Sequence, residues 1–160
     1  MKISLLIIFL SFFIPHKIFS SPVGKGLSCF RETDKGSDDF KSFRGIYFES
    51  DKNVRVVSFK NKNNSLKVIS KQTPYKVYED KIKFKIKFIW YGEISFEYFT
   101  ISRNNLDLTH KFGNKIYNLG CTLVVTDFMS SMNNIKSKFQ KYLNENLKSN
   151  SIWMLKLKNL

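Results

Sequence analysis

The segment Lys81-Ile82-Lys83-Phe84-Lys85-Ile86-Lys87-Phe88-Ile89-Trp90 decides the fold of this chain. Its apolar residues Ile82, Phe84, Ile86, Phe88 and Trp90 alternate with a row of four lysines from Lys81 to Lys87. Successive side chains of a β-strand point to opposite faces, so this period of two gives the strand one apolar face and one basic face. The segment predicts a strand that covers a core on one side and meets solvent on the other.

Similar short segments lie on both sides of this strand, and residues typical of turns separate them. They are Phe43–Ser50, Val54–Lys60, Leu66–Ser70, Tyr75–Tyr78, Ile94–Ser102, Leu106–Phe112 and Lys115–Val124. The regular spacing predicts a mainly β fold, an antiparallel meander of about seven to nine strands that forms a small barrel or a curled sheet. We expect one β domain over residues 21–125.

The pairing of Lys81–Trp90 with the next strand depends on the length of the turn between them. A two-residue turn would set Ile86 opposite Glu97 and would mix apolar and polar residues on each face. An odd-length turn would instead pair Phe88 with Phe96 and Ile86 with Tyr98. We expect the odd-length turn because it keeps apolar residues together.

The pattern changes at Thr126, which we expect to cap a helix. Apolar residues then recur at intervals of three and four, at Phe128, Met132, Ile135, Phe139 and Tyr142. The spacing predicts an amphipathic helix of about 20 residues, ending near Lys148-Ser149-Asn150 and followed by a tail that contains Trp153. Residues 126–160 thus form a C-terminal helix and tail.

Three roles are open for this helix and its tail. The apolar stripe from Phe128 to Tyr142 could pack on the β domain, which is the role that we favour. The same stripe, together with Trp153, could instead contact an anionic membrane surface or a partner protein. The tail could also remain disordered.

The N-terminal segment has the layout of a secretory signal peptide over residues 1–20. A lysine precedes the apolar run Ile3–Ile14, and Pro15 and small residues follow it. The run is shorter than the roughly 20 residues that a membrane-spanning helix needs. We therefore expect cleavage after Ser20 and a periplasmic or secreted protein. A retained N-terminal anchor is the alternative.

Two cysteines, Cys29 and Cys121, follow this signal. In an exported chain an isolated pair of cysteines is most simply a disulfide bond. In the chain-entropy description, a bridge over this separation disfavours the unfolded chain by roughly 4–5 kcal/mol. Free buried thiols are the alternative.

The composition is that of one small basic globular domain. Among 160 residues 42% are hydrophobic and 25% are charged, which excludes disordered and collagen-like chains. The formal charge is +14, with 23 lysines, only four arginines and no alanine, a bias that an AT-rich gene produces. Base recognition depends largely on arginine forks, so we expect no nucleic-acid partner.

Few residues could carry catalysis or bind a metal. His110 is the one histidine after residue 20, and we expect it to be structural; Asp107 or Glu97 would orient it in a catalytic role. The acidic segment Glu32–Asp39 lacks the ligand spacing of an EF-hand, and we expect a solvated loop there. We predict no enzyme activity, no cofactor and no metal site.

The predicted function is non-catalytic binding by an exported β domain. The ligand would be an apolar small molecule inside the curled sheet, or an envelope component, such as a protein or an anionic membrane, on its surface. The candidate ligand-binding residues are Phe84, Phe88, Trp90, Phe96 and Tyr98. A filled interior would instead favour a protein-interaction or inhibitor-like module.

Residues Phe99–Leu108, followed by Tyr117–Cys121, resemble the closing strands of a group of small uncharacterised exported β-rich proteins from AT-rich marine alphaproteobacteria. In that group an I-x-R-x-T-G-x-L-type hairpin precedes a terminal G-x-C, and Asn105-Leu106 stands here in place of Thr-Gly. The resemblance implies an exported β fold and no particular activity. The periplasmic C-type lysozyme inhibitor barrel is also similar in tying its ends with cysteines, but its inhibitory Ser-Gly-x-x-Tyr loop is absent.

Overall fold

The computed structural model describes residues 21–31, 40–90 and 92–158, with side chains except at 90 and 148–158. The predicted signal peptide and the acidic segment Glu32–Asp39 lie outside the described residues.

Eight antiparallel strands form a closed barrel in which each strand pairs with the next and the last pairs with the first. The strands are β1 (Gly26–Phe30), β2 (Arg44–Phe48), β3 (Asn53–Lys62), β4 (Ser65–Val77), β5 (Lys81–Trp90), β6 (Glu93–Ser102), β7 (Leu108–Phe112) and β8 (Lys115–Val124). The predicted antiparallel β fold with one C-terminal helix is confirmed. The two predicted segments Leu66–Ser70 and Tyr75–Tyr78 belong to one strand, β4.

The turn between β5 and β6 has two residues, so the predicted odd-length turn is wrong. Trp90 lies opposite Glu93, and Ile86 lies opposite Glu97. Gly92 has a φ of 84°, a left-handed conformation that glycine adopts without strain and that tight hairpin turns use. The register therefore turns Glu97 into the barrel and Phe96 out of it.

Each of these two residues has a partner on its own side of the wall. The Glu97 carboxylate lies 3.3 Å from Nε2 of His110 inside the barrel. The Lys85 ammonium lies 4.6 Å from the centroid of the Phe96 ring outside it, a cation–π contact. These contacts offset the cost of mixing polar and apolar residues on the two faces.

Apolar side chains fill most of the barrel interior, as is usual for small barrels. The Phe84 and Phe99 rings stack with centroids 5.0 Å apart. The buried interior cluster is Leu27, Cys29, Ile46, Phe48, Val54, Val56, Tyr75, Ile82, Phe84, Ile86, Phe99, Ile101, Leu108 and Leu119.

A disulfide bond joins Cys29 on β1 to Cys121 on β8, which confirms the predicted bridge. The two residues lie directly opposite each other in the β1–β8 ladder. This ladder is the seam at which the barrel closes, so the bridge ties together the first and last strands.

The helix α1 (Phe128–Lys158) follows β8 and packs on the outside of the barrel. Asp127 rather than Thr126 caps it, because the Ser130 N–H donates to Asp127 Oδ1 at 2.7 Å. A second apolar cluster lies between the helix and the sheet, formed by Phe40, Phe43, Val57, Phe59, Leu66, Phe128 and Met132.

Two glycines let the helix approach the sheet closely. A Cβ on Gly26 would lie 2.7 Å from the Phe128 ring, and a Cβ on Gly45 would lie 2.4 Å from the Met132 sulfur. Met132 is fully buried in this contact. The first turns of α1 therefore fit against backbone that carries no side chain.

The predicted membrane or partner stripe faces the barrel. Phe128 and Met132 are buried, while Ile135 and Phe139 are partly buried against the same cluster. Tyr142 is 38% exposed, and the Trp153 side chain lies outside the described ones. The favoured packing on the β domain is confirmed for the part of the stripe from Phe128 to Phe139, which contacts the barrel.

Candidate functional site

The barrel wall is incomplete between β4 and β5. These strands pair only where Tyr75–Val77 meets Ile82–Phe84. Beyond that point side chains link them, because Thr73 Oγ1 donates to the Lys85 carbonyl at 2.6 Å and Lys71 Nζ donates to the Lys87 carbonyl at 3.3 Å. Hydrogen bonds from side chains thus replace part of the ladder, and the strands separate.

Pro74 marks the start of this separation. The Tyr75 N–H donates to the carbonyl of Lys52, which directly precedes β3. Neighbouring residues of a strand direct their N–H groups to opposite sides, so the nitrogen of Pro74 faces β5. Proline has no N–H to donate there, and prolines in sheets lie at edges or bulges for this reason.

A cleft of about 1020 Å³ opens where the two strands separate. Phe84, Ile86 and Phe99 reach it from the interior, whereas Phe96 and Tyr98 belong to the outer face. Six lysines surround these apolar residues, and no Asp or Glu is among the described residues that line the cleft. The lysines are Lys71, Lys76, Lys83, Lys85, Lys87 and Lys111. The cleft is an apolar surface with a positive border.

The structure separates the five residues predicted to line the interior. Phe84 is buried there, and the partly buried Phe88 ring lies 5.4 Å from the ring of Phe112. The prediction that Phe96 and Tyr98 line the interior is wrong, because the two-residue turn places them on the outer face. They meet Phe84 in the cleft instead. The Trp90 side chain lies outside the described ones.

Sequence reasoning missed the contribution of β4 to this site. Lys71, Thr73 and Lys76 line the cleft from a strand that was predicted as two short pieces with a break near Pro74. Pro74 was the available signal, since a proline within a strand pattern indicates an edge.

A small polar cluster lies in the barrel interior next to the cleft. A cavity of about 100 Å³ there is lined by residues that include Arg44, Lys71 and Glu97. It is smaller than the roughly 300–1,000 Å³ of ligand pockets. The cleft therefore has the size of a ligand site, and this interior cavity does not.

His110 belongs to the packing of this interior. Its buried ring stacks on the Phe99 ring with centroids 4.6 Å apart. It also stacks on the Tyr117 ring, with centroids 5.5 Å apart. Asp107, the other predicted orienter, accepts a hydrogen bond from the Asn105 amide in the β6–β7 turn. Glu97 is the carboxylate that meets His110.

The environment of Glu97 favours its charged form. Burial raises the pKa of Glu97. The contact with His110 and the charges of His110, Arg44 and Lys71 lower this pKa by more than burial raises it, so it lies below its usual value. A lowered pKa means that the folded state binds this proton less tightly than the unfolded state does.

The stability that ionised Glu97 contributes should accordingly be present above the unfolded pKa near 4.3 and lost as the pH falls through the lower folded value. We expect Glu97→Gln to lower the free energy of unfolding by about 1–3 kcal/mol at pH 7, with a smaller difference from wild type at pH 3. Urea unfolding at several pH values measures this difference. The exposed Glu93→Gln is the control, and a difference for Glu97→Gln that does not change with pH would contradict the expectation.

No protein-family model, curated protein or solved structure matches this chain. The resemblance to exported alphaproteobacterial proteins thus remains a prediction. Within the described ranges, no three His, Cys, Asp or Glu side chains are grouped so that they could hold a metal ion. None of the described helical segments is both long and apolar enough to cross a membrane.

Proposed function

We propose that the protein is a non-catalytic binding protein whose β4–β5 cleft takes an anionic amphiphile. The observation that carries this proposal is the combination of an apolar surface, formed by Phe84, Ile86 and Phe96, with six bordering lysines. The apolar part of the ligand would lie against these side chains. Its carboxylate or phosphate would lie among the ammonium groups.

Both parts of the ligand are needed for useful affinity. Burial of a methylene group contributes about 0.8 kcal/mol, whereas association itself costs an estimated 4–15 kcal/mol. A short alkyl chain alone would therefore bind weakly. Several lysines around one anion add attraction in a cleft where protein partly replaces water.

We also propose that the protein resides in an oxidising compartment, either the periplasm or the cell exterior. The Cys29–Cys121 bridge supports it, because disulfides persist mainly in exported proteins.

A fluorescence titration with dansyl-labelled undecanoate tests the proposed site. We expect saturable binding by the wild-type protein and at least about tenfold weaker binding by Lys83→Glu/Lys85→Glu, since two attractive charges become repulsive. Both lysines are exposed, so the folded state should persist. The uncharged methyl ester of the same probe should bind more weakly than the acid.

The matched control is Lys60→Glu/Lys138→Glu, which reverses two exposed lysines outside the cleft lining. Its affinity for the probe should stay within about twofold of wild type, because distant exposed charges are screened. Equal losses in the two double variants, or equal affinity for acid and ester, would contradict a site for anions in the cleft.

A further inference from the structure

The end of the β5–β6 hairpin forms no ladder with the strand on either side of it. β6 pairs with β7 only from Glu97 onward, and β5 pairs with β4 only as far as Phe84. Residues 87–96, which we call the arm, therefore have no ladder partner outside their own hairpin in the described part of the chain. An isolated two-stranded hairpin is at best marginally stable in water.

The arm exposes large apolar side chains. Ile89 and Ile94 lie opposite each other across the hairpin and are 72% and 58% exposed. Their strands meet at the two-residue turn that ends at Gly92. Single exposed apolar residues are common, but a paired set at the tip of a hairpin without neighbouring ladders indicates a contact surface.

Charge is distributed unevenly between the two ends of the barrel. In an up-and-down barrel alternate turns share one end, so the β2–β3, β4–β5 and β6–β7 turns lie opposite the arm. Of the seven acidic residues described between 40 and 124, five lie in those distant turns: Glu49, Asp51, Glu79, Asp80 and Asp107.

Among the described residues, the end that carries the arm is basic. Two of the seven acidic residues lie outside the distant turns. Glu97 points into the barrel, and Glu93 lies on the arm. Lys87 lies on the arm, and Lys111 and Lys115 lie on the neighbouring β7–β8 hairpin, all three exposed. Ile116, beside Lys115, is 62% exposed and extends the apolar surface.

Two observations disfavour addition of a partner strand to the arm. Lysines recur along β5, and edge lysines hinder pairing with another strand. The side chains of Thr73 and Lys71 already donate to the Lys85 and Lys87 carbonyls that face β4. A strand added there would have to displace these hydrogen bonds.

We propose that the arm docks the protein on an anionic lipid bilayer. Ile89 and Ile94 would enter the interfacial layer, where the apolar parts of Trp and Tyr side chains are also stable. Lys87, Lys111 and Lys115 would contact lipid phosphates. Lys87 and Lys111 also border the cleft, but Ile89, Ile94 and Lys115 lie outside its lining. Bilayer docking and ligand binding can therefore be tested separately.

Co-sedimentation of the full chain with vesicles tests the docking surface. We expect binding to vesicles that contain phosphatidylglycerol, weaker binding in high salt, and little binding to phosphatidylcholine alone. Ile89→Ser/Ile94→Ser should reduce partitioning at least about tenfold, because the variant lacks the two apolar side chains that would be buried in the bilayer. Both residues are exposed, so thermal unfolding should remain near that of wild type.

The matched control is Val77→Ser/Val125→Ser, which changes two exposed valines, 47% and 93% accessible, outside the arm. It should bind vesicles within about twofold of wild type, since neither residue would enter the bilayer. Equal partitioning of the two double variants would overturn the proposal. The proposal would also be overturned if the arm variant still bound vesicles but no longer bound an acidic protein, because the arm would then be a protein-binding surface.

Tryptophan fluorescence supplies an independent readout. The chain has two tryptophans, so Trp153→Phe leaves Trp90 at the arm as the sole emitter. Its emission should shift to shorter wavelength when phosphatidylglycerol vesicles are added, because the indole enters a less polar layer. An unchanged spectrum under conditions where the protein sediments with vesicles would place the contact elsewhere and overturn the proposal.

Discussion

Cys29→Ala/Cys121→Ala should lower the free energy of unfolding by about 2–5 kcal/mol. The bridge links positions 92 residues apart, so its loss gives the unfolded chain many additional conformations. It also crosses the β1–β8 seam, where β1 contributes only five residues. Alanine is preferable to serine because Cys29 is fully buried, and a buried hydroxyl would add a cost of its own.

Urea unfolding of the oxidised protein and of the double variant measures this difference. The reduced wild-type protein is the control and should unfold near the double variant, since both lack the cross-link. A loss below about 1 kcal/mol would be smaller than disulfide removal usually causes. It would indicate that the strand pairing alone holds the seam closed.

Much of the fold could be predicted from local patterns. The alternation in Lys81–Trp90 and the spacing from Phe128 to Tyr142 reflect periods that the backbone imposes, and the structure contains a strand and a helix there. The disulfide followed from the count of two cysteines. The strand and the helix depend on short stretches of chain, and none of the three features needs knowledge of neighbouring strands.

The register between β5 and β6 depends on residues that a pairwise comparison of two strands cannot include. Glu97 faces the interior because His110, on β7, lies beside it there. Phe96 faces outward under the ammonium group of Lys85. A third strand and a cation thus stabilise a register that the hydrophobic pattern of the two strands disfavours.

The cleft could not be predicted from the sequence for a similar reason, since it also depends on how neighbouring strands pair. It arises where β4 and β5 stop pairing, although both strands continue. Pro74 indicates that β4 is unpaired at one point, but it does not give the extent or the direction of the separation. The arm likewise depends on β7 ending at Phe112, which leaves the end of β6 without a neighbour.

Phe43→Ala should lower the free energy of unfolding by about 3–5 kcal/mol. Phe43 precedes β2, is fully buried and stacks on Phe59 with ring centroids 4.8 Å apart. The rings of Phe30 and Phe139 lie 5.0 Å and 6.3 Å away. Removal of the Phe43 ring would leave a cavity between the sheet and the helix that its rigid neighbours could not fill.

Chemical unfolding of Phe43→Ala measures the loss, and Phe112→Ala is the control because Phe112 is 37% exposed and lies outside this cluster. The control should lose less unfolding free energy than Phe43→Ala does, since folding buries a smaller apolar area at Phe112. A double-mutant cycle of Phe43 with Phe139 on α1 tests the link to the helix, and we expect a coupling of about 0.5–1.5 kcal/mol. Coupling near zero would mean that the helix adds little to the stability of the barrel, whereas the expected value makes the barrel and helix one cooperative unit.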